Sequence, residues 1–574
     1  MNLSGRTVYI ILSLLFSSQT SFAQTVSQKA QSNQEETILE SAFETESECY
    51  FSFSFSSSEE LNSLSKIISI DKVENFTAYA YASKSDFENF LKRKVDFKLL
   101  NHPHDGFKAD MYDPLLKKTY AWDQYLSYTD YYDLMYQFAT DFPEICQVFS
   151  IGTSVEGREI LMAKISDNIT LKEAEPQFLY SGQIHGDELV NSVLLLRLID
   201  DLTRNYATDN QITRLVDGIE IWINPLANPD GLYAGGNGTV NGATRFNANA
   251  VDLNRNFPDP EDGEHPDGKP RQQETQLFMQ LAEDQHFVMS ANTHAGAAVV
   301  NYPWDTWVER SADELWWQMV AREYADTAQS YSPAGYMEFK NNGITNGYDW
   351  YSIAGGRQDY MNYFQHCREV TLEQSVTKYL PGSQLPNFWN YNRNSLLNYL
   401  EQVSFGFRGL VSDESTGEKI INAKIEINGH DNNNSFVFTD SLGYFYRPIK
   451  AGSYQLDFSA EGFETVSMSG QAIDDYETKI LNISLQKSTT AVGDDIFSKI
   501  KITNPIQNSL LQIESPLLIE QLKIYSLLGQ LVFSQKTNST ELRVDLSKFQ
   551  SGIYLVQIDF PNKRKMMKRV IKPF

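Results

Sequence analysis

Phe51, Phe53 and Phe55 alternate with serines, the period-two pattern of a half-buried strand. Ser57 with Glu60 and Ser85 with Glu88 read as capping boxes that open two helices, and Ala78–Tyr81 reads as a strand between them. Residues 47–101 are thus expected to form a small α/β domain. From 112 to 403 the pattern changes. Apolar runs at 178–181, 219–224, 287–292 and 369–373 alternate with amphipathic stretches such as 188–201. Continuous apolar runs between helices predict a mixed, mostly parallel sheet with helices on both faces. After Phe405 the helical pattern stops. Short β runs recur with turn signals at Ser412-Asp413, Asn428-Gly429, Asp440 to Gly443 and Gly452, which predicts a sandwich of seven or eight strands over 405–487. A polar linker at 488–495 leads to a second β-rich unit over 496–574.

The N-terminus changes the picture of where the chain goes. Arg6, the apolar run Val8 to Phe16, and Ser21-Phe22-Ala23 before Gln24 predict a signal peptide over 1–23, and the polar stretch 24–46 reads as a linker. That apolar run is about half the ~20 residues a membrane span needs, and no later stretch is longer, so no transmembrane segment is expected. An exported, secreted or cell-surface protein follows. The length of 574 residues predicts about four domains. With 48 basic and 74 acidic residues the net charge is −26, which disfavours nucleic acid as a partner. Three cysteines allow at most one bridge, so the cores must hold the domains.

Candidate chemistry starts at Gln183-Ile184-His185-Gly186-Asp187-Glu188, where His185 and Glu188 sit three apart as a strand gives way to a helix. Taken singly, the pair reads better as a surface histidine beside a helix-start acid. A second histidine, His294, ends another apolar strand. Two histidines and a glutamate at the carboxyl ends of strands make the open three-ligand set of a catalytic zinc. Asp252 is the candidate partner for the second ring nitrogen of His185. Beside it, Asn254 and Arg255 suit a substrate that ends in a free carboxylate, and Arg245 can serve an oxyanion. Any of these arginines alone could equally be a surface ion-pair partner.

These residues occur in an ordered series: His185-x-x-Glu188, Asn228-Pro229-Asp230-Gly231, Arg245, Asp252-Leu253-Asn254-Arg255-Asn256-Phe257-Pro258, Ser290 to His294, Asn301-Tyr302-Pro303-x-Asp305, Gly343 to Gly347 and Glu369 to Glu373. The series resembles the zinc metallocarboxypeptidases, and within them the regulatory branch of carboxypeptidases N, E, M and D. The resemblance implies one zinc held by His185, Glu188 and His294, with Glu373 as general base and acid. It implies Arg245 as oxyanion donor, Asn254 and Arg255 as the clamp for a peptide C-terminus, and Tyr351, 22 residues before Glu373, as a mobile phenol. Asp305, with Gln358 in a second pocket position, would pair with a C-terminal Lys or Arg. Three residues depart from the family pattern: Ala295 for a glycine, Arg357 for a methionine and Arg368 for an aromatic. Arg357 so near the pocket raises the question of whether its charge opposes basic side chains.

Residues 405–487 resemble the transthyretin-like domain of that branch. The last unit, with its Ser551-Gly552-Ile553-Tyr554 and basic finish from Lys563, resembles the C-terminal sorting domain of type IX secretion in Gram-negative bacteria, which implies export through the periplasm and that machinery as a partner. The N-terminal domain reads as an accessory domain or a prodomain. The alternatives are a peptidase of cell-wall peptide stems and a silent surface-binding protein; the intact Glu373 and Arg245 argue against the second.

Overall fold

The computed structural model describes residues 38–44, 47–115, 120–488, 499–504, 506, 509–526, 530–561 and 565–572. The expected signal peptide, and the expected linker beyond residue 488, lie outside them. Of the stretch read as an N-terminal linker, residues 38–42 are helical, and Ile38, Leu39, Ala42 and Phe43 pack on the next domain's core. Four apolar side chains so close together outweigh the polar average of the stretch.

The N-terminal domain is a four-stranded antiparallel sheet, ordered β2-β3-β1-β4, from β1 (Glu48–Ser54), β2 (Ser69–Glu74), β3 (Thr77–Ser83) and β4 (Phe97–Leu100). Two helices, α1 (Ser58–Ser65) and α2 (Lys84–Leu91), complete it. Ser57 caps α1, its hydroxyl accepting from the Glu60 amide at 3.2 Å. The cap of α2 is Ser83, accepting from the Asp86 amide, and not Ser85 with Glu88. The strand runs straight into the helix, so its last residue, still extended, takes the cap.

The central domain is built on eight strands: β5 (Cys146–Thr153), β6 (Glu159–Ile165), β7 (Gln177–Gly182), β8 (Glu220–Asn224), β9 (Phe287–His294), β10 (Ala298–Tyr302), β11 (Ile344–Asn346) and β12 (Arg368–Gln374). Their order is β11-β10-β12-β9-β7-β8-β6-β5, with β8, β7, β9 and β12 running parallel side by side. β7 is buried on both faces, so Phe178 and Tyr180 enter one core while Leu179 enters the other. Helices α3 (Val190–Arg204), α4 (Glu314–Ser330) and α5 (Leu385–Glu401) supply much of the first core. Helix α3 starts two residues after Glu188, so His185 and Glu188 both sit in the β7–α3 loop. Gly186 in that loop meets the backbone of Gly231, where an added Cβ would lie 2.1 Å from a carbonyl carbon, so no larger residue fits.

Eight short strands lie between Gly406 and Leu485. Gly406–Asp413 pairs with Tyr444–Arg447 and Thr478–Ile480, and Lys424–Ile427 pairs with Val437–Phe438. By their packing, residues 412–423, 458–466 and 483–574 form a second unit apart from the rest of the chain. Its larger part is a five-stranded antiparallel sheet dominated by Leu510–Ser526 and Leu531–Asp545. Cys49, Cys146 and Cys367 are buried and unbridged.

Candidate active site

The carboxyl ends of three adjacent parallel strands deliver the polar groups to one point. His185 and Glu188 follow β7, His294 ends β9, and Glu373 on β12 lies in register beside His294. Ligating atoms of His185, Glu188 and His294 all lie within 4.8 Å of one another. His185 Nδ1 is 2.9 Å from Glu188 Oε1 and 3.1 Å from His294 Nδ1, which is itself 3.0 Å from Glu188 Oε2. Two nitrogens about 3.3 Å apart is the edge of a tetrahedron around zinc at ~2.05 Å, so the donor set fits that ion. The second nitrogen of His185, Nε2, stands 3.1 Å from Asp252 Oδ1; a proton there frees Nδ1 to ligate. Burial works to raise the Asp252 carboxyl, but Arg245, His185 and Arg255 hold it well below the usual range. Glu188 is likewise held low by His185 and His294 against its burial.

Arg245 Nε donates to Asp252 Oδ2 at 3.1 Å, and its Nη1 is 3.7 Å from Glu188. Glu373 lines the same cleft. Burial, and then the Glu188 charge, push its carboxyl up to about 8 against the pull of Lys378, His185 and Arg245, and its Oε2 has no hydrogen-bond partner.

The residues expected to clamp a carboxylate are only half paired. Arg255 is 7% exposed, and its Nη1 donates to the Asn254 carbonyl at 2.8 Å, yet Nε and Nη2 have no partner. Asn254 Oδ1 accepts from the Arg357 amide at 2.9 Å. Tyr351 lines the cleft, its hydroxyl donating to the Ile70 carbonyl at 3.2 Å, and burial is the main push that takes the phenol up to about 12.

Asp305 lines the same cleft. Its Oδ1 accepts from Asn301 at 2.9 Å and Gln358 at 3.1 Å, so Gln358 holds Asp305 and does not itself face the open space. Burial chiefly, with Asp259 adding, pushes the Asp305 carboxyl up to about 6 against Asn301, Arg255 and Gln358. Gly347 leaves it room, since a Cβ there would lie 1.7 Å from Asp305 Oδ1.

The three departures from pattern find physical reasons. Ala295 keeps φ out of the left-handed region, which falls on Gly296 at +133°, and its amide donates to Glu188 at 3.0 Å. Arg357 turns away from the cleft: its Nη2 is 3.1 Å from Glu369 and its guanidinium lies over Phe278, so its charge is met by Glu369. Arg368 belongs to a junction with the sandwich, where its Nη2 donates to Asp313 at 3.1 Å and to the Ser435 carbonyl at 2.6 Å. Pattern matching missed Lys378, which pairs with Asp187 and the N-terminal Asp71 and stands 3.7 Å from Glu188.

Residues 131–395 match the family described as zinc carboxypeptidase. Residues 406–486 match the carboxypeptidase regulatory-like domain, and 499–572 the secretion system C-terminal sorting domain. The human carboxypeptidase N catalytic chain is 34% identical over 64% of this chain and 86% of its own length. Human carboxypeptidase D is 38% identical over 62% of this chain but only 26% of its own; the chain spans about a quarter to a third of the carboxypeptidase D relatives it matches. The crystal structure of thrombin activatable fibrinolysis inhibitor aligns over 62% of this chain and 99% of its own at 17% identity, with a TM-score of 0.48. At 34% identity over 86% of the carboxypeptidase N catalytic chain, this chain belongs to the zinc carboxypeptidase family, a family of hydrolases with one catalytic zinc, and carries a regulatory-like and a sorting domain after the catalytic one.

Proposed function

We propose that this chain is an exported zinc carboxypeptidase that removes C-terminal residues, with a preference for Lys and Arg, from peptides or proteins. The observation that carries the reading is the unpaired edge of Arg255. A buried guanidinium with Nε and Nη2 both free needs a planar anion, and a free peptide C-terminus supplies one. It stands in the same cleft as the ligand triad and Asp305. Zinc held by His185, Glu188 and His294 would polarise the last peptide carbonyl and ease deprotonation of the attacking water. Arg255 and Asn254 hold the terminal carboxylate, and Asp305 takes the basic side chain. Glu373 accepts the proton of the attacking water and passes it to the amine that leaves, while Arg245 donates to the carbonyl oxygen as its charge grows.

Matched peptides ending in Arg, Lys, Phe and Ala, with and without a chelator, test this reading. Arg and Lys should leave at least about tenfold faster than Phe or Ala, the worth of a desolvated charge pair of ~1.5–3 kcal/mol. Equal rates would remove Asp305 from the specificity role, and chelator-insensitive release would remove the zinc. The sorting domain supports export by the type IX route. Deleting 496–574 should leave the protein in the periplasm, and unchanged secretion would contradict that.

A further inference from the structure

Asp305 stands three residues past the end of β10, outside any strand. What fixes it there is a second buried acid. Asp359, in the first turn of the helix Arg357–Phe364, takes the Asp305 amide between its two oxygens at 3.1 and 3.0 Å, and its Oδ2 accepts from the Thr306 amide at 2.8 Å. The residue before it, Gln358, donates to the Asp305 carboxylate. One helical turn therefore grips Asp305 by main chain and by side chain. A third acid completes the frame: Asp259 Oδ1 accepts from Thr306 Oγ1 at 3.1 Å, and its Oδ2 accepts from the Gly355 amide at 3.0 Å. The Ile353 amide donates to the Asp305 carbonyl, the Phe257 amide to the Gly355 carbonyl, and the Arg357 amide to Asn254 Oδ1. The loop of Asp305 and the turn of Asn254 and Arg255 thus share one support, the segment 353–359.

The charges in this frame are not balanced from within. Asp259, Asp305 and Asp359 are each at most 3% exposed, and among the described residues none of them forms an ion pair. Other buried acids do have a cation beside them, as Asp313 has Arg368 and Arg447 and Asp230 has Arg158. Burial, and then the Asp305 charge, push the Asp359 carboxyl well above the usual range despite the two amides that lower it. Neighbouring buried carboxyls cost free energy when both are charged, and that cost falls when a cation enters beside them.

Building on the carboxypeptidase reading above, we propose that Asp359 is a positioning residue for specificity: it fixes Asp305 through the Asp305 and Thr306 amides, with Asp259 behind, and its own buried carboxyl adds to the demand for a cationic C-terminal side chain. Substrates that end in a neutral side chain gain nothing from it.

The full-length, zinc-loaded protein tests this through Asp359→Asn, which keeps one acceptor and removes the charge, and through Thr306→Val, which cuts only the hydroxyl link to Asp259. Each is compared with the parent on matched peptides ending in Arg, in citrulline and in Phe; citrulline has the shape of Arg without its charge. The rate at which a chelator strips the zinc reports on the site without turnover. Asp359→Asn should cut the Arg-over-citrulline ratio of kcat/KM at least about tenfold, through the KM of the Arg peptide and not its kcat, with zinc loss as in the parent. Thr306→Val should cut the same ratio by a smaller factor, about threefold. An unchanged ratio in both variants would overturn the proposal. An equal loss on Arg, citrulline and Phe would overturn it too, since it would make Asp359 part of the general frame. Should Asp359→Asn fail to fold, the ratio in Thr306→Val decides alone. A parent that takes Arg no faster than citrulline would instead strike the role given to Asp305, and this proposal with it.

Discussion

Two buried networks of arginines and acids lie in this chain, and they differ in how their charges are met. At the junction between the central domain and the sandwich, Arg447 holds Asp313 through both terminal nitrogens at 3.0 Å and Asp431 at 2.6 Å, and Arg368 adds a third hold on Asp313. In the cleft, Arg255 is also buried but gives one hydrogen bond to a carbonyl, and Glu373 keeps an oxygen without a partner. Burying a charge is costly unless a counter-charge is at hand. Where the chain supplies that counter-charge itself, the network joins domains. Where it does not, the carboxypeptidase reading supplies a ligand as the missing partner.

The largest effect that would sharpen this contrast is at Glu373. Glu373→Gln should keep its zinc and lose at least ~10²-fold in rate, the scale of general acid–base catalysis, as metal analysis beside peptide hydrolysis would show. Truncating the arginines should separate the networks. Arg255→Ala should cost at least ~10²-fold in kcat/KM, about 2.7 kcal/mol, with little change in unfolding midpoint, because no acid is hydrogen-bonded or ion-paired to it. Arg447→Ala should instead lower stability by about 3–5 kcal/mol by stranding Asp313 and Asp431, read by denaturant unfolding, while folded protein keeps its activity. A matching stability loss at Arg255 would break the comparison. Smaller effects are expected at Asp305. Gly347→Ala should press on its carboxylate and cut the preference for basic residues by about tenfold. Because the Asp305 carboxyl is raised to about 6, it is charged above that pH and neutral below it. The Arg-over-Phe preference should therefore be full above pH 7 and fade as the pH falls through 6, which a pH series of the two rates would show.

Much of the cleft was legible from sequence because its parts are local. His185 and Glu188 share one loop, Asp252 to Arg255 share one turn, and Glu373 ends an apolar strand where a charge is out of place. The parallel strands that bring these segments together announce themselves by continuous apolar runs. What pattern could not supply is partnership across distance. The charge of Arg357 looked hostile to basic substrates only because its counter-ion Glu369, facing it from the neighbouring strand, was not visible as such. Arg368 found its acid 55 residues away at Asp313. Asp71 and Lys378 lie in different domains, and nothing in either local sequence hints at the other. The cap at Ser83 was misplaced for a smaller reason, a strand that enters its helix without a loop.

The most direct measurement of the central claim is the cleavage, by the protein loaded with zinc, of one Arg-terminated peptide as the free acid and as the C-terminal amide. If Arg255 waits for a terminal carboxylate, the free acid should be cut at least ~10²-fold faster, since the amide leaves the buried guanidinium without its anion. Equal rates on the two would contradict the account.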